Sequence, residues 1–420
     1  MSDKKLSTDS YKGVRDFYPE DMAVQRYIFE TWSKTAERFG FSRYDASILE
    51  PSDLYKAKGA ENEEMVNEQT YTFTDRGDRE VTLRPEMTPS IARMVAKKQR
   101  ELAFPLRWYS IPNLFRYERP QRGRLREHWQ LNCDIFGANH FTADVEIIAL
   151  AYQTLLDFGA KPEMFEIRIN DRALMQRAYS ALGLSAEQIT SITRLNDRKN
   201  KISKDEYRTD LDAITGDEVL SEEIIILLEQ SDEQTDIMIG LNELGIKNVV
   251  FDKSLARGFD YYTGTVFEIF DVSGENNRSM LGGGRYDNLT SMFDTEPVSG
   301  IGFGMGDVTM RDFLETHKLL PEYIKGHTAH VVIIPMSEAE NLESQKIAQH
   351  IRAAKFSVAT DIGTKKVGKK ISDAGERGAK FVIVIGEDEV ESGNLTLKNL
   401  HSGQTHSGKL AELMNFLNVN

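Results

Sequence analysis

Ten consecutive residues, Glu127 to Phe136 (EHWQLNCDIF), alternate in character with a period of two. His128, Gln130, Asn132 and Asp134 fall on one face of an extended chain, and Trp129, Leu131, Cys133 and Ile135 on the other. That pattern demands a long strand with an apolar side and a polar side, hence a sheet whose two faces differ. Alternation alone fits a solvated outer face as well as a binding floor.

A second run, Arg107 to Glu118, reads as the partner strand. It ends with Arg116 and Glu118 on one face and Phe115 and Tyr117 on the other. Between the two strands lies a loop with Arg119, Arg122, Arg124 and Arg126, and with Arg116 just before it five arginines fall within eleven residues. The whole chain carries 52 basic and 66 acidic residues, a formal net charge of −14. This excludes a general nucleic-acid coat but not a local basic site. Arginine's planar fork matches phosphate oxygens, and Pro120 and Gly123 suit a loop that closes on a ligand. A merely solvated charge run is the plainer alternative.

The remaining pattern describes a mixed fold. Asp21 to Phe39 carries Val24, Ile28, Trp32, Ala36 and Phe39 at helical spacing, with Pro19 ahead and Gly40 behind. Glu80 to Arg84 alternates as a half-buried strand, with Val81 and Leu83 on one face and Thr82 and Arg84 on the other, and Pro85 ends it. Asp144 to Phe158 reads as a helix and Phe165 to Ile169 as a strand. Residues 171–245 are helical and acidic, as in Glu222 to Glu229, and read as an insertion, after which strands return at 249–251 and 266–270. Glycine clusters follow at Gly282 to Gly284 and Gly300 to Gly306; the second matches neither a dinucleotide fingerprint nor a P-loop, and close packing of a strand onto a helix is expected there. Beyond a hinge at Pro321 to His330, strands at 331–335 and 381–385 alternate with helices.

Composition adds limits. A chain of 420 residues suggests roughly two to four domains of about 100 to 200 residues. One cysteine, Cys133, excludes an internal disulfide and any thiolate cluster. His327 and His330 lack a third ligand, so no protein metal site is expected. The polar start MSDKKLSTDS and the lack of a long apolar stretch point to a cytoplasmic protein without a membrane segment.

Two further segments carry ligand chemistry. Thr82 to Thr88 (TLRPEMT) places Glu86 where a buried carboxylate could hold an ammonium group. Arg257 to Gly264 (RGFDYYTG) brings a cation, a carboxylate and two phenols together before a strand. With FRYERPQ (Phe115 to Gln121), QLNCD (Gln130 to Asp134), LARGFDYY (Leu255 to Tyr262) and GGRYDNL (Gly283 to Leu289), these segments resemble the histidyl-tRNA synthetases, a class II aminoacyl-tRNA synthetase family, along nearly the whole chain.

The resemblance implies an α+β fold. A six- or seven-stranded antiparallel sheet flanked by helices would form a catalytic domain over 1–170 and 246–325. A helical insertion would span 171–245, and an α/β anticodon-binding domain 326–420. It implies a homodimer whose substrates are L-histidine, ATP and tRNA(His), with Mg2+ accompanying the nucleotide. Carried over residue by residue, Glu86, Met87, Thr88 and Gln130 would surround the α-ammonium, Asp134 and Tyr262 would reach the imidazole, and Tyr261 would line the pocket. Arg116 and Arg257 would flank the α-phosphate as the catalytic pair. Arg124 would reach the γ-phosphate, His128 would stack beneath adenine, and Arg119 and Gln121 would face the tRNA acceptor end.

This chain departs from the pattern at Ser47 in place of a motif 1 proline, at Asp134 where many relatives carry glutamate, and at Thr309 where motif 3 places an arginine. Arg311 stands two positions on, about half a turn away on a helix. The rival expectation is a noncatalytic, synthetase-like regulatory subunit of ATP phosphoribosyltransferase, which would bind histidine without charging tRNA. The lysines Lys365, Lys366, Lys369 and Lys370, read as a basic cluster in the last domain, favour the enzyme.

Overall fold

The computed structural model describes residues 6–56, 69–199, 202–230, 234–257, 261–321 and 329–419. The chain divides into two compact units, Met1–Asp16 with Arg26–Leu320 and Phe17–Gln25 with Pro321–Asn420. Helix α1 (Pro19–Arg38) opens on a proline followed by Glu20 and Asp21 and closes on Arg38, which suits both ends of the helix dipole. Ile28, Trp32 and Ala36, four apart, are buried. The Trp32 indole donates to Sδ of Met305 at 3.0 Å. Gly40, at φ +79°, takes the left-handed conformation that ends the helix.

In the larger unit there follow β1 (Ser42–Arg43), β2 (Leu49–Pro51), α2 (Asp53–Lys56), β3 (Tyr71–Thr74), β4 (Glu80–Leu83), α3 (Thr88–Lys98), β5 (Leu106–Ser110), β6 (Asn113–Phe115), β7 (Glu127–Phe136) and α4 (Thr142–Asp157). After β8 (Phe165–Asp171) come α5 (Arg172–Ala181), α6 (Ala186–Arg198), α7 (Lys204–Thr215), α8 (Glu218–Glu229) and α9 (Asp236–Glu243). The unit is completed by β9 (Val249–Phe251), β10 (Thr265–Asp271), β11 (Ser279–Tyr286), β12 (Gly300–Gly306) and α10 (Asp307–Thr316). Among the described residues nine strands make one sheet in the order β1-β5-β7-β12-β11-β10-β8-β9, with β6 also on β7. Its pairs are antiparallel except β1 with β5 and β8 with β9, at the two edges. The sheet is therefore wider than the expected six or seven strands and not wholly antiparallel.

Two local expectations need correction. The run 107–118 is not one strand: it breaks at Ile111 and Pro112, since proline has no N–H for the ladder. The Pro112 carbonyl instead accepts from the Gln130 N–H at 3.1 Å, and Arg116 and Glu118 lie beyond the strand. In β4 the buried face is the polar one. Thr82 and Arg84 are buried, with Thr82 sharing hydrogen bonds with Ser52 and Thr72 at 2.7 and 2.8 Å. The small sheet β2-β4-β3 thus turns Leu49, Phe73, Val81 and Leu83 to its other face, where Leu49 and Phe73 are exposed.

Helices α5 to α8 hold a core of their own around Tyr179, Ile192, Leu195, Leu211 and Ile224. By contrast α9 packs on α4, so closely that a Cβ on Gly240 would come 2.9 Å from Val145. The last helix of the expected insertion therefore serves the sheet's flank.

The second unit comprises β13 (Val331–Pro335), α11 (Asn341–Ala353), β14 (Val358–Thr360), α12 (Val367–Glu376), β15 (Phe381–Ile385), α13 (Glu387–Ser392), β16 (Asn394–Asn399), β17 (Thr405–Lys409) and α14 (Leu410–Val419). The strand order is β14-β13-β15-β16-β17. Val331 and Ile333 enter one core, Val332 and Ile334 another on the opposite face, as a sheet covered on both sides requires. The lysine cluster is not a uniform cationic face. Lys370 is buried and donates to the Asp361 carbonyl at 2.9 Å. Lys365 and Lys369 both pair with Asp373, at 2.6 and 2.7 Å.

Candidate active site

The central strands β7, β12 and β11 set the floor. In register, Gln130, Asn132 and Asp134 face Gly306, Gly304 and Gly302, and Gly304 and Gly302 face Gly282 and Gly284 in turn. The absent side chains leave room for their neighbours. A Cβ on Gly302 would strike the Asp134 carboxylate, one on Gly304 the Gln130 amide, and one on Gly282 the Arg257 guanidinium. The glycine runs therefore clear the pocket; the expectation that they seat a strand on a helix is corrected. Above this floor is a cavity of about 80 Å³ lined by Glu86, Thr88, Arg116, Gln130, Asn132, Asp134, Arg257, Tyr261, Tyr262 and Tyr286.

At one end Asp134 is buried and accepts a hydrogen bond from the Tyr286 hydroxyl. Burial pushes its pKa up to about 7, opposed by that donor. Tyr261 donates to Glu86 at 3.1 Å. Its ring lies 4.8 Å from that of Tyr262 and 5.9 Å, edge-on, from that of Tyr286, giving three aromatic walls around two carboxyl groups. Such a pocket suits a small planar cation or donor. Met87 is excluded from it, being wholly buried with its sulfur 3.8 Å from the Arg84 guanidinium.

The other end is cationic. Arg116 donates from Nε to the Pro85 carbonyl at 2.9 Å, which aims its fork into the cavity. Arg257 pairs with Glu268. Burial opposes the Arg257 charge, but Glu268 outweighs it and holds the pKa above the ordinary arginine value. Burial likewise raises the Glu268 carboxyl, against the pull of Arg257. His128 lies outside the cavity lining. Burial first, then Arg116, Arg15 and Arg124, push its pKa down to about 3, which leaves a neutral imidazole at pH 7.

The four arginines of the loop have different tasks. Arg126 is buried and structural: it donates to the Glu118 carbonyl at 3.1 Å and to the Tyr11 hydroxyl at 3.0 Å, and lies 4.0 Å over the Tyr117 ring. It thereby ties down the N-terminal arm, which is fixed again where Arg15 meets the buried Asp307 at 2.7 Å. Arg124 pairs with the buried Glu118 at 2.6 Å, so Glu118 serves that arginine instead of the cavity. Arg122 reaches Asn276 at 3.1 Å. Arg119 and Gln121 are exposed at the loop tip, where Gln121 forms a backbone bridge with Arg124.

Sequence reasoning missed Glu268, Asn132 as a lining residue, Tyr286 as the partner of Asp134, and the glycines as floor. The period-two spacing of Gly300, Gly302, Gly304 and Gly306 was the available signal, since glycines recurring on one face of a strand mark close approach. Gly258, Phe259 and Asp260 of the RGFDYYTG segment, and His327 and most of the hinge, lie outside the described residues. Thr309 donates to the Met280 and Gly306 carbonyls at 3.1 and 3.2 Å, and Arg311 is paired with Glu315 at 2.8 Å. Neither lines the cavity.

Comparison with known proteins gives a consistent picture. Residues 13–307 match the family model described as histidyl-tRNA synthetase, and residues 330–420 that of the anticodon binding domain. A histidine–tRNA ligase of Leptospira biflexa is 42% identical over 99% of this chain and 98% of its own. One of Thermoplasma volcanium is 38% identical over 98% and 99%. Among solved structures, a histidyl-tRNA synthetase from Nostoc superposes with a TM-score of 0.79 at 23% identity, covering 99% of both chains. A Bacillus halodurans protein titled ATP phosphoribosyltransferase regulatory subunit/histidyl-tRNA synthetase superposes at 0.69 and 23%, covering 91% of this chain and 99% of that one. The fold is common to both, so the fold by itself does not separate them.

Proposed function

We infer the reaction from the premise that the chain belongs to the histidyl-tRNA synthetase family and is a histidine–tRNA ligase. The observation that carries our residue assignment is the two-ended cavity, with Asp134, Glu86 and three tyrosines at one end and Arg116 and Arg257 at the other. Glu86, Thr88 and Gln130 hold the α-ammonium of L-histidine, and Asp134 accepts from the imidazole N–H. Tyr261 and Tyr262 enclose the ring. The carboxylate is thereby turned toward Arg116 and attacks the α-phosphorus of ATP in line. Pyrophosphate leaves, and the 3′-hydroxyl of the tRNA then displaces AMP from the histidyl-adenylate.

No protein nucleophile is required. Negative charge grows on the nonbridging phosphate oxygens in the transition state, and guanidiniums already fixed by Pro85 and Glu268 stabilise it without reorganising. Arg124 reaches the distal phosphates. The neutral, half-buried imidazole of His128 offers adenine a flat surface without adding charge. Arg119 and Gln121, exposed on the loop, meet the acceptor end of tRNA(His), and residues 326–420 meet the anticodon.

Magnesium belongs to the nucleotide in this scheme. The cation is held largely by the phosphates, as Mg2+ usually is. We further assign a homodimer, supported by the exposed apolar Leu49 and Phe73 on one face of β2-β4-β3, and a cytoplasmic location, where its tRNA is found.

Histidine-dependent exchange of labelled pyrophosphate into ATP tests the assignment. A ligase exchanges with histidine and with no other standard amino acid. A folded chain that binds histidine but does not exchange is the regulatory subunit instead.

A further inference from the structure

One arginine outside the sites assigned above is held in an arrangement that calls for an anion. Arg278 immediately precedes β11, and its side chain crosses the arginine-rich loop at Gly123: a Cβ on that glycine would lie 2.9 Å from the Arg278 Cδ and 3.5 Å from the Thr309 methyl. Gly123 sits at φ +73°, so both its backbone and its bareness bring the loop onto the arginine. The Arg278 guanidinium is part-buried beside Arg124. Burial and then Arg124 push its pKa down, with Glu118 pulling the other way. Glu118, however, is already held by Arg124 at 2.6 Å. Arg278 makes no hydrogen bond or ion pair among the described residues.

Two guanidiniums side by side with one carboxylate between them leave an uncompensated positive charge, in a chain whose overall charge is −14. Such a pair is costly when empty and binds an anion that carries more than one charge. Its position narrows the anion further. Arg116 lines the cavity, and Arg278 meets the loop at Gly123, the residue before Arg124, so the same loop connects all three cations. Helix α10 adds none: Thr309 spends its hydroxyl on backbone carbonyls and Arg311 is taken by Glu315.

We propose that Arg278, packed on the arginine loop at Gly123, binds the β- and γ-phosphates of ATP together with Arg124 and then the departing pyrophosphate. The proposal rests on the ligase reading. Arg278 makes no claim on histidine, because it is not among the residues that line the cavity. It is a substrate-binding residue supplied by the β10–β11 connection instead of by the helix after β12.

Arg278→Ala and Arg278→Lys in the full-length chain test it. Loss of a charged hydrogen bond to phosphate is expected to raise the KM for ATP, or lower kcat/KM for ATP in pyrophosphate exchange, by about 10- to 100-fold in Arg278→Ala, with partial recovery in Arg278→Lys. Affinity for a nonhydrolysable histidyl-adenylate analogue, which has neither distal phosphate, should stay within about twofold. The proposal is overturned if Arg278→Ala matches the parent in ATP dependence, or if the analogue and ATP weaken in step, as a scaffold residue would produce. Should the parent itself show no exchange, the ligase reading fails separately. Calorimetric titration of ATP and AMP into parent and variant then still decides whether Arg278 holds the distal phosphates: a loss confined to ATP supports it, and equal affinities overturn it.

Discussion

The Tyr286 hydroxyl donates to Oδ1 of Asp134 from two strands away, passing over β12 where Gly302 leaves the space open. A carboxyl group and a phenol from nonadjacent strands are thus joined at the floor of the cavity, where burial raises the Asp134 carboxyl and the phenol partly offsets that rise.

Burial raises the Asp134 pKa to about 7, above the unfolded carboxylate value of about 4. Between those two limits the folded chain retains a proton that the unfolded chain has released, so this group's contribution is most favourable below about pH 4 and is lost as pH rises through about 7. Asp134→Asn abolishes the titration. Its stability relative to the parent should improve by on the order of 1 to 3 kcal/mol between about pH 5 and about pH 8, measured by denaturant melts at both. Histidine should bind the variant about tenfold more weakly at neutral pH. A stability difference that ignores pH would remove the buried proton from Asp134.

Arg257 has two roles that mutation can separate. Arg257→Ala should slow adenylate formation about 100- to 1000-fold while barely changing histidine affinity. It should also cost about 3 to 5 kcal/mol of stability, because Glu268 is left buried and unpaired. Adding Glu268→Gln should restore the melting temperature and leave the rate low. Recovery of the rate by the second change would place Arg257 in the scaffold alone.

The glycine floor predicts intolerance to a single methyl group. Gly302→Ala and Gly304→Ala should each weaken histidine binding at least about tenfold by calorimetry, since the new Cβ overlaps Asp134 or Gln130. Gly264→Ala is the control. Its nearest neighbour would be Arg285 at 3.5 Å, an ordinary contact, so affinity should be unchanged.

Adjacent lysines of the second unit should behave in opposite ways. Lys370→Ala, which strips the Asp361 carbonyl of a buried donor, should cost about 1 to 3 kcal/mol of stability. Lys366→Ala is expected to alter stability by less than about 0.5 kcal/mol, as Lys366 is exposed at the start of α12. It should instead weaken tRNA charging and flatten its salt dependence. Identical melting curves for both variants would contradict the difference in burial.

What could be read from sequence was what short-range pattern encodes. The limits of β7, the helix over 222–229 and the strands at 331–335 and 381–385 were legible as periodicity or short apolar runs. So was the arginine loop, as a cluster. Periodicity did not reveal which arginine was free to meet a ligand: Arg126 and Arg124 differ in partners contributed by Tyr11 and Glu118, and no local rule assigns those. The same limit hid Glu268 and Tyr286, whose partners come from residues brought close only by folding. The polar buried face of β4 misled for another reason. Its apolar Val81 and Leu83 share the opposite face with the exposed Leu49 and Phe73, and alternation does not say which of two faces is covered.

The N-terminal arm is made well before the residue that anchors it. Arg15 waits for Asp307, 292 residues later, and at about 5 to 20 residues per second that interval lasts roughly 15 to 60 seconds on the ribosome. Throughout it the loop around Arg126 can form, but its second anchor does not yet exist. Newly made chains halted short of residue 307 should therefore expose the arm to a nascent-chain protease, and chains released beyond it should not. Completion of the nucleotide end is in this way timed by synthesis of the strand and helix that close the sheet.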